Sequence, residues 1–335
     1  MRFSVLICCV ILSVSVYGQA SDFNFIDFEK ADSIAALYPN HSLKNLKMLA
    51  DKLTTPLPTE IEKFRAIYKW ICNNIEYDYA LYIRSKEKER KLKGETLQAW
   101  NKTFSSLVFK TLLNKQKTVC SGYAYLVKAL ASQAGLHCVM IDGYGRTSQS
   151  NIGGKGNANH SWNAIQLNGK WYLCDATWSA GAYDTEALKY VKRFDDSYFL
   201  AEPSMFVRNH FPLDSAWTLL NHKPTLNNFL NGPLFYSNAF KYKINLLSPE
   251  TFDVVASKDK PVIFQFTKNA DTTLEQVELY IKGPGASNIM SPKLYEKSAG
   301  LYCFDHTFTT RGTYVVHLLL NHSFVTSYTV TVGKE

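Results

Sequence analysis

The stretch from Ser161 to Thr177 restricts this chain more than any other part of it. Two apolar-rich runs, Ser161 to Leu167 and Lys170 to Thr177, flank Asn168-Gly169. Asn-Gly supplies the two consecutive positive-φ residues of a two-residue turn, so the spacing predicts a tight antiparallel hairpin. Such a loop pairs Leu167 with Lys170. Counting back, Trp162 falls opposite Asp175 and His160 opposite Thr177. Opposed side chains share a face, which makes His160 and Asp175 diagonal neighbours ~7–8 Å apart at the backbone, within reach of an imidazole–carboxylate hydrogen bond. A slip of one residue would put them on opposite faces.

A thiol can complete that pair. Ser121 to Gly135 predicts a helix, with Leu126, Leu130 and Ala134 near one face and Gly135 as its stop. Cys120 then stands at a helix N-terminus, where the dipole favours a thiolate and free backbone N–H groups can hold an oxyanion. In that arrangement Cys120 is a candidate nucleophile. His160 takes its proton, and Asp175 fixes the imidazole tautomer. Cys138 to Tyr144 reads as a buried strand and Gly145 to Asn159 as a mobile loop. The Gly-Gly-Lys-Gly within that loop lacks the spacing of a phosphate loop. Upstream, Thr59 to Tyr77 predicts a helix opened by a Thr59–Glu62 capping box. Arg84 to Lys93, crowded with both signs of charge, reads as a solvated helix or loop. Phe104 to Leu113 reads as a short helix.

The 335 residues suit ~100–200 per domain, hence about two domains. From about Leu246 the pattern changes to period two: Val262-x-Phe264-x-Phe266, Val277-x-Leu279-x-Ile281, Tyr314-x-Val316-x-Leu318 and Tyr328-x-Val330-x-Val332. Turn residues separate these runs, which predicts an all-β sandwich over 246–335, of immunoglobulin or fibronectin type. With 46% hydrophobic and 20% charged residues, disorder and collagen-like structure are excluded. The formal charge is +8, but the basic residues read as scattered and no nucleic-acid-binding motif is present, so no nucleic-acid partner is expected. Met1-Arg2, the uncharged run Phe3 to Val16 and the small residues that follow read as a signal peptide over 1–20, cleaved before Gln19 or Ser21. No other stretch approaches membrane-spanning length. Export to the periplasm or outside the cell is therefore expected. Five cysteines remain beyond the leader, and an odd count leaves a free thiol. Cys120 is expected to be unpaired, and Cys138 is a conditional partner for Cys174. No His-Glu-x-x-His or Cys-x-x-Cys pair occurs, so neither a metal nor a cofactor is expected.

Three motifs, in order, carry a family resemblance. Thr118-Val119-Cys120-Ser121-Gly122-Tyr123-Ala124 resembles the nucleophile motif of the transglutaminase-like superfamily. Asn159-His160-Ser161-Trp162-Asn163-Ala164 resembles its histidine strand, and Gly169 to Trp178 its aspartate strand. The look is that of the kyphoscoliosis-peptidase-like branch, including secreted bacterial members, where a segment like Tyr198-Phe199-Leu200 … His210-Phe211-Pro212 follows. The resemblance covers Thr59 to Leu220. It implies an α+β fold, with a papain-like, transglutaminase-like core (a cysteine-bearing helix on an antiparallel sheet) over 21–245 and the sandwich after it. It also implies catalytic roles for Cys120, His160 and Asp175 on amide bonds of a protein or peptide substrate, by hydrolysis or acyl transfer through a thioester. The alternative is an inactive scaffold that binds a protein partner at the cell envelope through the sandwich. Relatives add an upstream oxyanion donor. Trp100 is a candidate for it, and so is ordinary core packing for the same residue. Tyr77, Asp78 and Tyr79 resemble a segment near the cleft, and His210 is either a cleft residue or a satisfied structural histidine.

Overall fold

Thr59 caps the helix Glu60–Asn74 as its sequence requires. Its hydroxyl accepts from the Glu62 N–H, and the Glu62 carboxylate accepts from the Thr59 N–H at 3.2 Å. Ile61, Phe64, Ile67, Tyr68 and Ile71 of this helix are all buried. In this computed structural model, which describes residues 20–23, 25–184, 187–268 and 273–333, the helix packs beside a second one, Cys120–Gln133. The leader expected over 1–20 lies, apart from Ala20, outside the described residues.

Both helices cover an antiparallel sheet of four strands in the order Lys170–Cys174, His160–Leu167, His137–Gly145, His210–Pro212. The hairpin forms in the expected register: Leu167 pairs with Lys170 and Asn163 with Cys174. Asn168 and Gly169 take φ of 49° and 80°, the two positive values of a type I′ turn. The second strand ends at Cys174, three residues before the expected Thr177. Asp175 leaves the ladder to cap a short helix, Ala176–Ala180, accepting from the Thr177 N–H at 2.8 Å and the Trp178 N–H at 3.3 Å. A short carboxylate side chain offers the backbone an alternative to the ladder, and here that alternative wins.

Both faces of the sheet are covered. Ile165, Leu167, Tyr172 and Cys174 join the core made with the helices. Trp162, Ala164 and Leu173 face the other way, into a core that runs through Tyr198, Phe206 and Phe240 to the carboxy-terminal strands. Those strands form two sheets. One is ordered Asn245–Ser248, Pro261–Thr267, Leu301–Thr307, Tyr295–Ser298. The other is Asp253–Ser257, Ser323–Gly333, Gly312–Leu320, Val277–Gly283, Ala286–Met290. Phe264, Phe266 and Phe304 of the first share a core with Leu279, Val316, Leu318 and Tyr328 of the second. The second sheet also takes a strand from before the sandwich, Leu234–Phe235 against Thr326–Ser327.

Two helices are longer than their local patterns indicate. Arg84 to Lys91 of the charged run lie in Tyr79–Lys91, with Leu92 and Lys93 joining it to the next helix, and Phe104 to Leu113 lies inside Gly94–Lys115. The segment expected as a mobile loop is tied down by its own polar residues. Asn159 Oδ1 accepts from Gly145 N–H at 2.7 Å, Asn151 Nδ2 donates to Gly145 O at 2.8 Å, and Arg146 Nε donates to Asn151 O at 3.0 Å. No helix among the described residues is long and apolar enough to cross a membrane.

Candidate active site

His160 is the first residue of its strand. Its Nε2 lies 2.7 Å from Asp175 Oδ2, and the ring lines the same cleft as the Cys120 thiol. The ring has room only because of a neighbouring glycine: a Cβ on Gly145 would stand 2.8 Å from His160 Cβ and 2.9 Å from Cγ.

Cys120 opens its helix after the extended residue Val119 and is partly exposed. Helix starts leave their first N–H groups without intrahelical acceptors. The histidine strand itself fixes the position of this start. Buried Asn163 donates from Nδ2 to Ala124 O in the helix at 2.9 Å and to Val139 O in the next strand at 3.1 Å. From the helix, the Tyr123 hydroxyl donates to Ile75 O at 2.8 Å.

Asp175 is 1% exposed, and every position around its carboxylate is used. Oδ1 accepts the two helix N–H groups described above, and Oδ2 accepts from His160 and, at 3.0 Å, from Nε2 of His210. Burial alone would raise its pKa. The charge and hydrogen bond of His160, joined by those of His210, instead hold it well below the usual carboxylate range. His160 shows the mirror effect: burial would lower its pKa, but Asp175 and then Cys120 raise it well above that of ordinary imidazole. Burial pushes His210 down to about 4, against the pull of Asp175. Its Nδ1 sits 2.6 Å from Asn209 Oδ1. Trp178 stacks on His160 with centroids 5.1 Å apart and lies 4.3 Å from the His210 ring.

The structure therefore joins His160 to Asp175 by a hydrogen bond and places Cys120 on the cleft that His160 lines. It adds His210 and Trp178, which sequence reasoning left without a role. Trp178 lay within a quoted motif, but only tertiary packing shows that it covers the imidazoles. Trp100 is elsewhere: it lies under Arg84 and Lys88, its Nε1 has no hydrogen-bond partner among the described residues, and it does not line the cleft. Tyr77 does line the cleft beside Cys120, and burial followed by the thiol pushes its phenol pKa well up. All five cysteines of the described residues are free, so the conditional Cys138–Cys174 bond is not formed. One imidazole nitrogen each from His160 and His210 and a carboxylate oxygen of Asp175 lie within 4.8 Å of one another, a donor set that suits zinc. As they stand, both nitrogens are hydrogen-bonded to that oxygen. No local motif reveals this set, because its members come from a strand start, a helix cap and an edge strand.

Cys120 and His160 open into a cleft of about 930 Å³. One wall is the core domain, with Tyr79, Trp178 and Tyr183. The other is the sandwich, with Tyr280, His322 and Phe324.

A cysteine at a helix start, set against histidine and aspartate from an antiparallel hairpin, is the arrangement of the transglutaminase-like class. Residues 47–176 match the family model described as the transglutaminase-like superfamily, and the chain belongs to that superfamily. Within it, the chain is 34% identical over 255 residues to human kyphoscoliosis peptidase, an alignment covering 72% of this chain and 35% of that protein. It is 30% identical over 249 residues to hillarin of Drosophila melanogaster, covering 70% and 28% respectively. The chain thus spans about a third of the length of the curated relatives it matches.

Proposed function

We propose that the protein is an exported thiol enzyme acting on amide bonds of proteins or peptides. The observation that carries this reading is the His160 imidazole, held at 2.7 Å by Asp175 and lining the same cleft as the Cys120 thiol. The Cys120 sulfur attacks the amide carbonyl carbon. The C–N bond breaks, and the thiol proton reaches the departing nitrogen through His160, leaving a thioester. Water then attacks the thioester, yielding an acid and restoring the thiol with its proton. An amine in place of water yields a new amide. The name of the human relative, a peptidase, favours water. Backbone N–H groups at the helix start and the Tyr77 hydroxyl are the donors available to the oxyanion.

Labelling by a thiol-directed electrophile tests the reading. Cys120→Ala is expected to abolish labelling while changing stability by no more than about 1 kcal/mol, since a partly exposed thiol contributes little packing. His160→Ala should suppress labelling near neutral pH, and Asp175→Asn should leave weaker labelling, because orientation is lost while the imidazole remains. Labelling that ignores His160 and rises only above ~pH 8.5 is the behaviour of an ordinary exposed thiol. Together with an absence of amide cleavage or transfer, that result would replace the enzyme reading with a binding scaffold.

A further inference from the structure

The cleft is asymmetric in charge. Three permanent cations line it, Arg146, Arg193 and Lys282, against one carboxylate, Asp195, among the described residues. Asp195 is occupied in capping, its Oδ1 accepting from the Ser197 N–H at 2.9 Å. Arg146 is also committed: it is buried and donates to Asn151 O at 3.0 Å, to Pro233 O at 2.8 Å and to Gly232 O. Arg193 and Lys282 differ from it. Both are exposed, and neither has an ion-pair partner among the described residues. They stand on opposite walls, Arg193 on the core domain and Lys282 on the sandwich, where its ammonium lies 5.2 Å from the Tyr280 ring centroid.

The same sign continues beyond the cleft. Helix Tyr79–Lys91 begins at the cleft with Tyr79 and Tyr82 and is followed by Gly94–Lys115. Together the two carry eight lysines and arginines against Glu87, Glu89 and Glu95, a net +5 in a chain whose total is +8. Much of the net positive charge therefore lies in one segment of the chain that starts at the cleft.

Two facing walls with aromatic side chains suit an extended polypeptide, whose flat amide groups lie against rings. Tyr79 and Tyr183 provide such a surface on one wall, stacked at 3.9 Å with their planes 9° apart. Unpaired cations on both walls select the charge of that polypeptide. We propose that the cleft takes polypeptide segments carrying carboxylate side chains, with Arg193 and Lys282 as specificity-determining residues and the sandwich as half of the substrate site. The chemistry done on such a segment rests on the thiol-enzyme reading; its capture does not.

Binding to the full-length Cys120→Ala protein separates the two. The probes are dansyl-labelled dodecapeptides of alternating Glu and Ala, Gln and Ala, and Lys and Ala, followed by anisotropy at low and high salt. The Glu peptide is expected to bind at least about tenfold tighter than the Lys peptide, with affinity falling as salt rises. Arg193→Glu and Lys282→Glu should each weaken the Glu peptide at least about threefold. Lys297→Glu, the same charge change on an exposed strand of the other sheet, should not. Circular dichroism confirms that each variant is folded. Equal affinity for the three peptides, or a loss at Arg193 and Lys282 no larger than at Lys297, overturns the proposal. Charge-selective binding by a protein whose wild type neither labels nor cleaves would refute the enzyme reading and leave this one standing.

Discussion

At the scale of single residues, the distinctive group is Asp175, a carboxylate that serves two imidazoles of opposite tendency. His210 is pushed down to about 4 by burial, so in the fold it resists protonation. Between about pH 4 and its unfolded value of ~6.5, the unfolded chain binds more protons, and stability falls as pH drops through that window. His160 has the opposite sign. Burial would lower its pKa, but Asp175 raises it, so the fold keeps a proton that the unfolded chain loses above ~6.5, and stability falls as pH rises. Urea denaturation across pH is expected to show a maximum near ~6.5. His210→Gln should flatten the acid limb, whose slope from one proton is at most ~1.4 kcal/mol per pH unit, and leave the alkaline limb in place. An acid limb untouched by that substitution would assign the slope to carboxylates instead. The His160–Asp175 pairing and the place of Cys120 at a helix start were legible in the sequence because a tight turn and a helix stop fix them locally. His210 lies 35 residues beyond Asp175 on an edge strand; the sequence left it open between a cleft residue and a structural histidine, because nothing local fixes its bond to Asp175.

Among elements, the histidine strand does the most positioning. It hydrogen-bonds the cysteine helix through Asn163, and its first residue needs the bare backbone of Gly145 beside it. Gly145→Ala places a methyl carbon 2.8 Å from His160 Cβ, a contact with the rigid base of a side chain and not with a flexible tip. The ring must move away from Asp175 or the two strands must part. The expected result is a loss of about 1–3 kcal/mol of stability, with slowed electrophile labelling at Cys120 and unchanged far-ultraviolet circular dichroism. Labelling at the wild-type rate would mean that the strands absorb the methyl without disturbing the imidazole. Element type and register were readable from periodicity and turn chemistry. Element ends were not: Asp175 left its strand to cap a helix, and Gly94–Lys115 extended well past its apolar patch. Both outcomes depend on contacts that periodicity does not encode.

For the molecule as a whole, the period-two runs revealed the sandwich but not what covers it. Alternation shows that a face is apolar and says nothing about its partner. Here one apolar core continues from Trp162 and Leu173 through Phe206 and Phe240 to Phe264 and Tyr328, and Leu234–Phe235 adds a strand to the second sheet. A fragment starting at Leu246 lacks that strand and the helix Ser237–Lys241 that packs on the same sheet. A fragment starting at Thr225 keeps both. The longer fragment is expected to melt at a higher temperature and to bind less of a hydrophobic dye. Equal melting temperatures would show that the sandwich owes nothing to the preceding segment.

That continuous core also decides how a target must arrive. Walls that share one apolar interior do not swing apart, because opening would expose the whole seam to water at once. The cleft of about 930 Å³ between them therefore keeps its dimensions. Under the thiol-enzyme reading proposed above, the segment that reaches Cys120 is one that its target has already let go: a tail, a linker, a loop, or a stretch undone by damage. Selection under that reading depends as much on the conformational state of the target as on its sequence, and the same protein is expected to resist while folded and to yield as it loosens.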